Sequence, residues 1–301
     1  MVQRSARREI EWPTFIALVA VYIAWAVMLW SHQFLGAWIA LPGAFIVAFH
    51  ASLQHEVLHG HPTRSAIFNE ALVFLPIGLV YAYRRFKATH LSHHNDERLT
   101  DPYDDPETYY VAEGDWDELS PALRFILRIN QTLAGRLTIG PFLAIYGFVR
   151  ADIRRVRRGE PRIVDAWVRH AIGLVPVIWM IVLAGIPLWF YALLIVVPAV
   201  SLLSLRTYIE HRAAAAPGAR SAVIESGWFW SLLFLNNNLH KVHHERPGVA
   251  WYKLPALWRE ERERVLRDND GYFYRGYGAV TRQWLFRPRE PNVHPIMRRR
   301  P

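Results

Sequence analysis

The sequence predicts an all-α integral membrane protein, with four transmembrane helices in two hairpins and a cytosolic helical cap that holds a histidine-rich di-metal site. Three observations lead there. Of the 301 residues, 52% are hydrophobic and 13 are tryptophan, an excess that suits a lipid solvent. Four apolar runs, at about 13–30, 34–53, 167–183 and 187–205, fall into two closely spaced pairs. Nine of the 14 histidines sit in three clusters outside those runs.

The first run follows a short basic segment, Met1 to Glu11, with Arg4, Arg7 and Arg8. A signal peptide would have a shorter apolar core and a small-residue cleavage site, and no second apolar run would begin at Phe34. The run of about 18 residues rises roughly 27 Å, enough to cross the hydrocarbon core. Ser31-His32-Gln33 leaves room for a tight turn, and the second run then delivers the first histidine cluster. Because positive charge favours the cytoplasmic side, the basic N-terminus places both ends of this hairpin, and the cluster after it, in the cytosol.

The segment from 54 to 165 is of mixed character. Its apolar stretches, Ala66 to Tyr83 and Pro121 to Phe148, are interrupted by Asn69, Glu70, Arg124, Arg128 and Arg136, so they read as helices at the membrane interface or in the cap. Arg154, Arg155, Arg157, Arg158 and Arg162 mark a cytoplasmic boundary before the second hairpin, whose turn is Ala184-Gly185-Ile186. After Arg206 the chain re-enters the cap, 206–301, and ends in a basic, aromatic tail with Tyr272, Tyr274, Tyr277 and Trp284. The reading is of a single membrane domain over 1–301.

Composition also excludes. The net charge of +9, from 35 Lys and Arg against 26 Asp and Glu, lies beside apolar runs and reads as a headgroup and topology signal. Basic residues tracking a phosphate backbone and groove-reading motifs are absent, so nucleic acid is not an expected partner. Without cysteine there is no disulfide, iron–sulfur cluster or thiolate-bound haem. No G-x-G-x-x-G or Walker loop is present, so no built-in nicotinamide or flavin domain is visible, and electrons, if needed, come from elsewhere.

The histidines carry the chemistry. His90, His93 and His94 repeat the spacing of His240, His243 and His244, and His55 and His59 are one helical turn apart. On a helix, positions i, i+3 and i+4 share a face, so each triplet is expected to aim into one small volume. Neutral imidazole suits iron, zinc and copper, and so many nitrogen ligands exceed the needs of one ion, which implies two. No E-x-x-H motif of the soluble carboxylate-bridged di-iron bundles is present.

The boxes His55/His59 and His90/His93/His94, between two apolar hairpins, and His240/His243/His244, after the second, resemble the membrane fatty acid desaturase superfamily, which includes carotenoid hydroxylases and ketolases. The resemblance implies a non-haem centre of two Fe ions that uses O2 and two external electrons to oxidise an unactivated C–H bond. It implies a desaturase acting on a fatty acyl or lipid-like hydrophobic substrate, with lipid or carotenoid hydroxylase or ketolase as the alternative. It also implies His211, just past the fourth run, as a ninth ligand. An external donor such as a ferredoxin would dock on a basic face around Arg84, Arg85, Lys87 and Arg154 to Arg158, and membrane lipids would contact the same charges. A histidine-rich metal transporter is the reading from a different class, disfavoured because transport sites lie near the bilayer midplane.

Ligating histidines commonly donate their second N–H to a carboxylate or carbonyl. Glu56, Asp96, Asp101, Asp105 and Glu245 are therefore expected to orient ligands, with His61, which closes a helix at Gly60-His61-Pro62, behind them. Asn237 and its neighbours Asn236 and Asn238 are read as caps for the helix of the third box, or as groups reaching into the site. His32, His50, His170 and His294 are read as structural, although a histidine inside an apolar run, as at His50, favours a polar partner or a cavity.

Overall fold

The computed structural model describes residues 10–95 and 97–297; Arg4, Arg7, Arg8 and Asp96 lie outside the described residues. Three helical runs are long and apolar enough to cross a membrane: Trp12–Leu58, Pro161–Leu183 and Leu188–Glu210. The first, of 47 residues, is bent into α1 (Trp12–Leu35) and α2 (Ala40–Leu58) by a 3-10 turn at Gly36–Ile39. This turn lies later than Ser31-His32-Gln33. Ser31 donates to Val27 O at 2.7 Å and continues the helix, and the break falls at Gly36, whose φ of 52° is open to glycine.

The exposed face of α1 is a stripe of Ile16, Val19, Ile23, Val27, Trp30 and Phe34, at helical spacing. Its opposite face buries Leu18, Val21, Trp25 and Met28. A helix with one apolar face packed and another apolar face open is built for lipid. After α2 come α3 (Ala66–Leu72), capped by Ser65 Oγ on Phe68 N, and α4 (Tyr83–His93). The cap continues with α5 (Glu113–Glu118), α6 (Pro121–Asn130), α7 (Leu133–Thr138) and α8 (Gly140–Arg157). Helix α6 begins where Ser120 accepts from Leu123 N and Pro121 opens the first turn, and α7 where Thr132 accepts from Gly135 N.

Helix α9 (Pro161–Leu183) ends at the turn around Gly185, with φ of 71°. The chain returns through α10 (Leu188–Phe190), a π-helical stretch at Tyr191–Val196, and α11 (Val197–Glu210). His32 Nδ1 lies 3.2 Å from Ala184 O, so the two turns meet at the same end of the molecule. Helix α2 packs between α1 and α11. Trp25 Nε1 donates to Tyr191 Oη, which donates in turn to Ile77 O, both at 2.8 Å, tying α1, the π stretch and the loop after α3 into one core.

Beyond α11, β1 (Val223–Ile224) pairs in parallel with β2 (Phe273–Tyr274). Between them lie α12 (Trp228–Leu233), α13 (His240–Glu245) and α14 (Leu254–Asp268), and α15 (Gly276–Trp284) follows. The tail closes over the cap: Tyr272 Oη donates to Ile209 O, and Arg289 Nη1 to Tyr272 Oη.

Two of the arginines read as a docking face are otherwise engaged. Arg85 is buried against Asp152 at 2.7 Å, and Arg84 binds Glu70 and Asp165. Arg85 is thus withdrawn from the surface, while Arg84 stays partly exposed with its charge paired.

Candidate metal centre

Each histidine is delivered by a helix end. His55 stands in the last turn of α2 and His59 at its C-cap. His90 and His93 are on α4 with His94 at the cap, His211 caps α11, and α13 begins at His240. The nine side chains meet as two groups: His55, His59, His90, His94 and His243 in one, and His93, His211, His240 and His244 in the other, with the donor atoms of each within 4.8 Å of one another.

The triplets do not each serve one site. In the second box the i, i+4 pair His90 and His94 goes to the first group and His93 to the second; in the third box the pair His240 and His244 goes to the second group and His243 to the first. Residues i+3 and i+4 differ by about 100° around a helix, so they face different sides while i and i+4 stay together. His94 and His244 stack at 4.2 Å where the groups adjoin.

Nitrogen contacts are close. Nε2 of His90 lies 2.9 Å from Nε2 of both His55 and His94, and Nε2 of His211 lies 2.9 Å from those of His93 and His240. His90 Nδ1 is 3.2 Å from Glu107 Oε1, His93 Nδ1 2.8 Å from Asp105 Oδ1, and His240 Nδ1 3.0 Å from Asn237 Oδ1. Once the Nδ1 proton is donated outward, Nε2 carries a lone pair. Where both nitrogens of such a contact carry lone pairs, they call for a cation between them, and His59 Nε2 is buried with no hydrogen-bond partner among the described residues. A donor set of neutral nitrogens, oriented by carboxylates, fits iron or another borderline divalent metal.

Electrostatics favours ligation. Burial, then the imidazoles of His90 and His94, pushes His59 down to about 2, and burial with neighbouring rings holds His211, His240, His243 and His244 well below the ordinary imidazole value. His93 is the exception. Burial pushes it down, but Glu107 and Asp105 outweigh burial and hold it up at about 9. Burial raises Glu107, and His90 and His93 reverse that and bring it to about 2.

Of the residues expected to orient ligands, Asp105 and Asn237 touch ligating positions; Asn237 Nδ2 also lies 3.4 Å from His55 Nε2. Asp101 accepts from Tyr103 N and Asp104 N and shapes the loop that carries Asp105. Three others stand elsewhere. His61 pairs through Nδ1 with Glu11 at 2.5 Å, because Gly60, at φ of 98°, turns the chain away after α2. Glu56, one residue from His55 and so on another helix face, accepts from Trp251 N. Glu245 pairs with Lys241 and Arg264 on the far side of α13.

The asparagines are not side-chain caps. The N-cap of α13 is Leu239, with no side-chain hydrogen bond. Asn236, at φ of 55°, donates to Trp251 O, and Asn238 donates to Ile224 O. They pin the loop before the helix, which leaves Asn237 for the site. Sequence reasoning missed Glu210, whose Oε1 lies 3.2 Å from His240 Nδ1 and 2.9 Å from Arg206 Nε, and Ser221, whose hydroxyl is 3.3 Å from His211 Nδ1. An i, i+4 Arg206–Glu210 pair closing an apolar run was the available signal for the first; Ser221 had none.

Apolar helices long enough to cross a membrane and two polyhistidine groups define the class: a helical membrane protein with side chains that could hold metal in its cap. The family model for fatty acid desaturase matches residues 33–276. The chain belongs to that family, and with it to the oxidoreductases of desaturase and hydroxylase type. No curated protein matches the sequence.

Proposed function

We propose that the protein is a multi-pass membrane oxidase with a non-haem di-iron centre, a fatty acyl or lipid desaturase that takes two electrons from an external carrier such as a ferredoxin. The carrying observation is the pair of histidine groups at the ends of α2 and α11, directly beyond an apolar cavity between those helices. Iron bound by the two groups would supply activation of dioxygen. The chain's own part is to hold the ligand rings by Asp105, Glu107 and Asn237, to exclude bulk water by burial, and to place a chain in the cavity against the first group. Desaturation removes two hydrogens from adjacent carbons, and with two electrons and two protons both oxygen atoms leave as water. Hydroxylation at the same centre would leave one oxygen on the product.

The test is metal analysis of the purified protein together with lipid comparison of cells carrying the active protein or His244→Ala. Two irons per chain, and lipids that lose two hydrogens only when oxygen and the intact histidine are present, are expected. A gain of one oxygen would move the assignment to hydroxylation. A single exchangeable zinc with an unchanged lipid profile would overturn the oxidase reading.

A further inference from the structure

The cavity between α2 and α11 contains about 400 Å³ of unfilled space, part of it open to the surroundings. Val47, Ala51, Pro76, Val196 and Ala199 make its wall apolar, and Ala51 lies one turn before His55 on the same face of α2. Three side chains with polar groups interrupt that wall: His50, Gln54 and Tyr81. His50 and Gln54, also one turn apart on α2, both line the cavity and are only 1% and 8% exposed. Gln54 makes no side-chain hydrogen bond among the described residues. His50 uses one nitrogen, Nε2, which lies 3.0 Å from Tyr22 Oη, while Tyr22 Oη is 3.5 Å from Leu75 O. With Tyr22 Oη donating to Leu75 O, His50 donates from Nε2 to Tyr22 Oη and keeps Nδ1 as an acceptor, and Gln54 keeps both a donor and an acceptor.

A saturated hydrocarbon drawn through this space would leave those groups buried and unpaired, which a binding site for such a chain avoids. We propose that the cavity takes a lipid-like substrate bearing a hydroxyl or carbonyl oxygen on its buried part, bound by Gln54 with His50. His50 precedes His55 by five residues, so the oxygen sits within roughly 8 Å, along α2, of the first histidine group. This specificity rests on the oxidase reading above.

The experiment uses the full chain in detergent, loaded with iron, and measures displacement of a fluorescent lipid by three probes of one chain length: the alkane, its internal alcohol and its internal ketone. The wild-type protein is expected to bind the alcohol or the ketone about tenfold more tightly than the alkane, and the better of the two identifies the oxygen. In Gln54→Met, close in volume and without the amide, the preference should fall to within about twofold, with alkane binding kept and iron content unchanged. Tyr22→Phe, which frees His50 Nε2, provides a second variant and should reduce the preference by about threefold. Equal binding of all three probes by the wild type, as when water alone satisfies Gln54, overturns the proposal, as does a preference that survives both variants. If no probe binds and no lipid is oxidised, the oxidase reading fails with it; if lipid oxidation persists without the preference, only the specificity fails.

Discussion

His93 combines a ligand's position with a proton a ligand must lose. Its folded value, held up at about 9 by Glu107 and Asp105 against burial, lies above the ordinary 6.5. In metal-free protein this pairing therefore contributes stability that is fully present below about pH 6.5 and is lost as pH rises through about 9. Metal needs the neutral ring, so uptake at the second group displaces a proton, and affinity there should climb about tenfold per pH unit up to about pH 9. Calorimetry in buffers of different ionisation enthalpy should register that proton near neutrality. Asp105→Asn should lower the proton release and weaken metal binding about 10- to 100-fold; release unchanged by the substitution would assign the proton to another residue.

Among the elements, α9 shows how closely the spans are fitted. A Cβ placed on Gly173 would lie 2.7 Å from Phe74 O and 3.0 Å from Pro76 Cδ, in the loop that walls the cavity. Gly173→Ala must therefore move that loop, at a cost of about 1–3 kcal/mol. A lower thermal midpoint in detergent is expected, and an unchanged midpoint would show that the loop yields freely. The helices themselves were largely legible, because runs of apolar residues at 13–30 and 187–205 leave few alternatives. The position of the first bend was not: Ser31 and His32 look like turn formers, but a serine whose hydroxyl bonds back to Val27 O stays helical. The stretches Ala66 to Tyr83 and Pro121 to Phe148 were legible as helical, but their division into short helices was not, since the breaks are fixed by local caps such as Ser65 and Thr132 within a mixed pattern.

For the whole molecule, both hairpin turns lie at one end and the histidine groups at the other, and Arg154, Arg157 and Arg158 are exposed at the foot of α8. From the positive-inside tendency we propose that the histidine end faces the cytosol. A chain without cysteine allows a direct check: a thiol introduced as Ser120→Cys should react with an impermeant reagent only from the cytosolic side, and Gln33→Cys only from the other. Reaction of both from one side would overturn the orientation. Sequence spacing carried most of the candidate site's grouping because imidazoles at i and i+4 announce a shared target. Ser221 and the Glu11–His61 pair stayed hidden, since each depends on segments brought together only by folding, whereas Glu210 was signalled by its i, i+4 spacing from Arg206.

The division of each histidine triplet between the two groups sets a length scale. Helices α4 and α13 each supply both groups, so the gap between two bound ions would be gauged by the step from one side of a helix to the next. A backbone turn is among the stiffest rulers a protein has. Sliding or tilting either helix would carry both sites along, so breathing of the membrane spans would shift the pair of ions as a unit before it changed the distance between them.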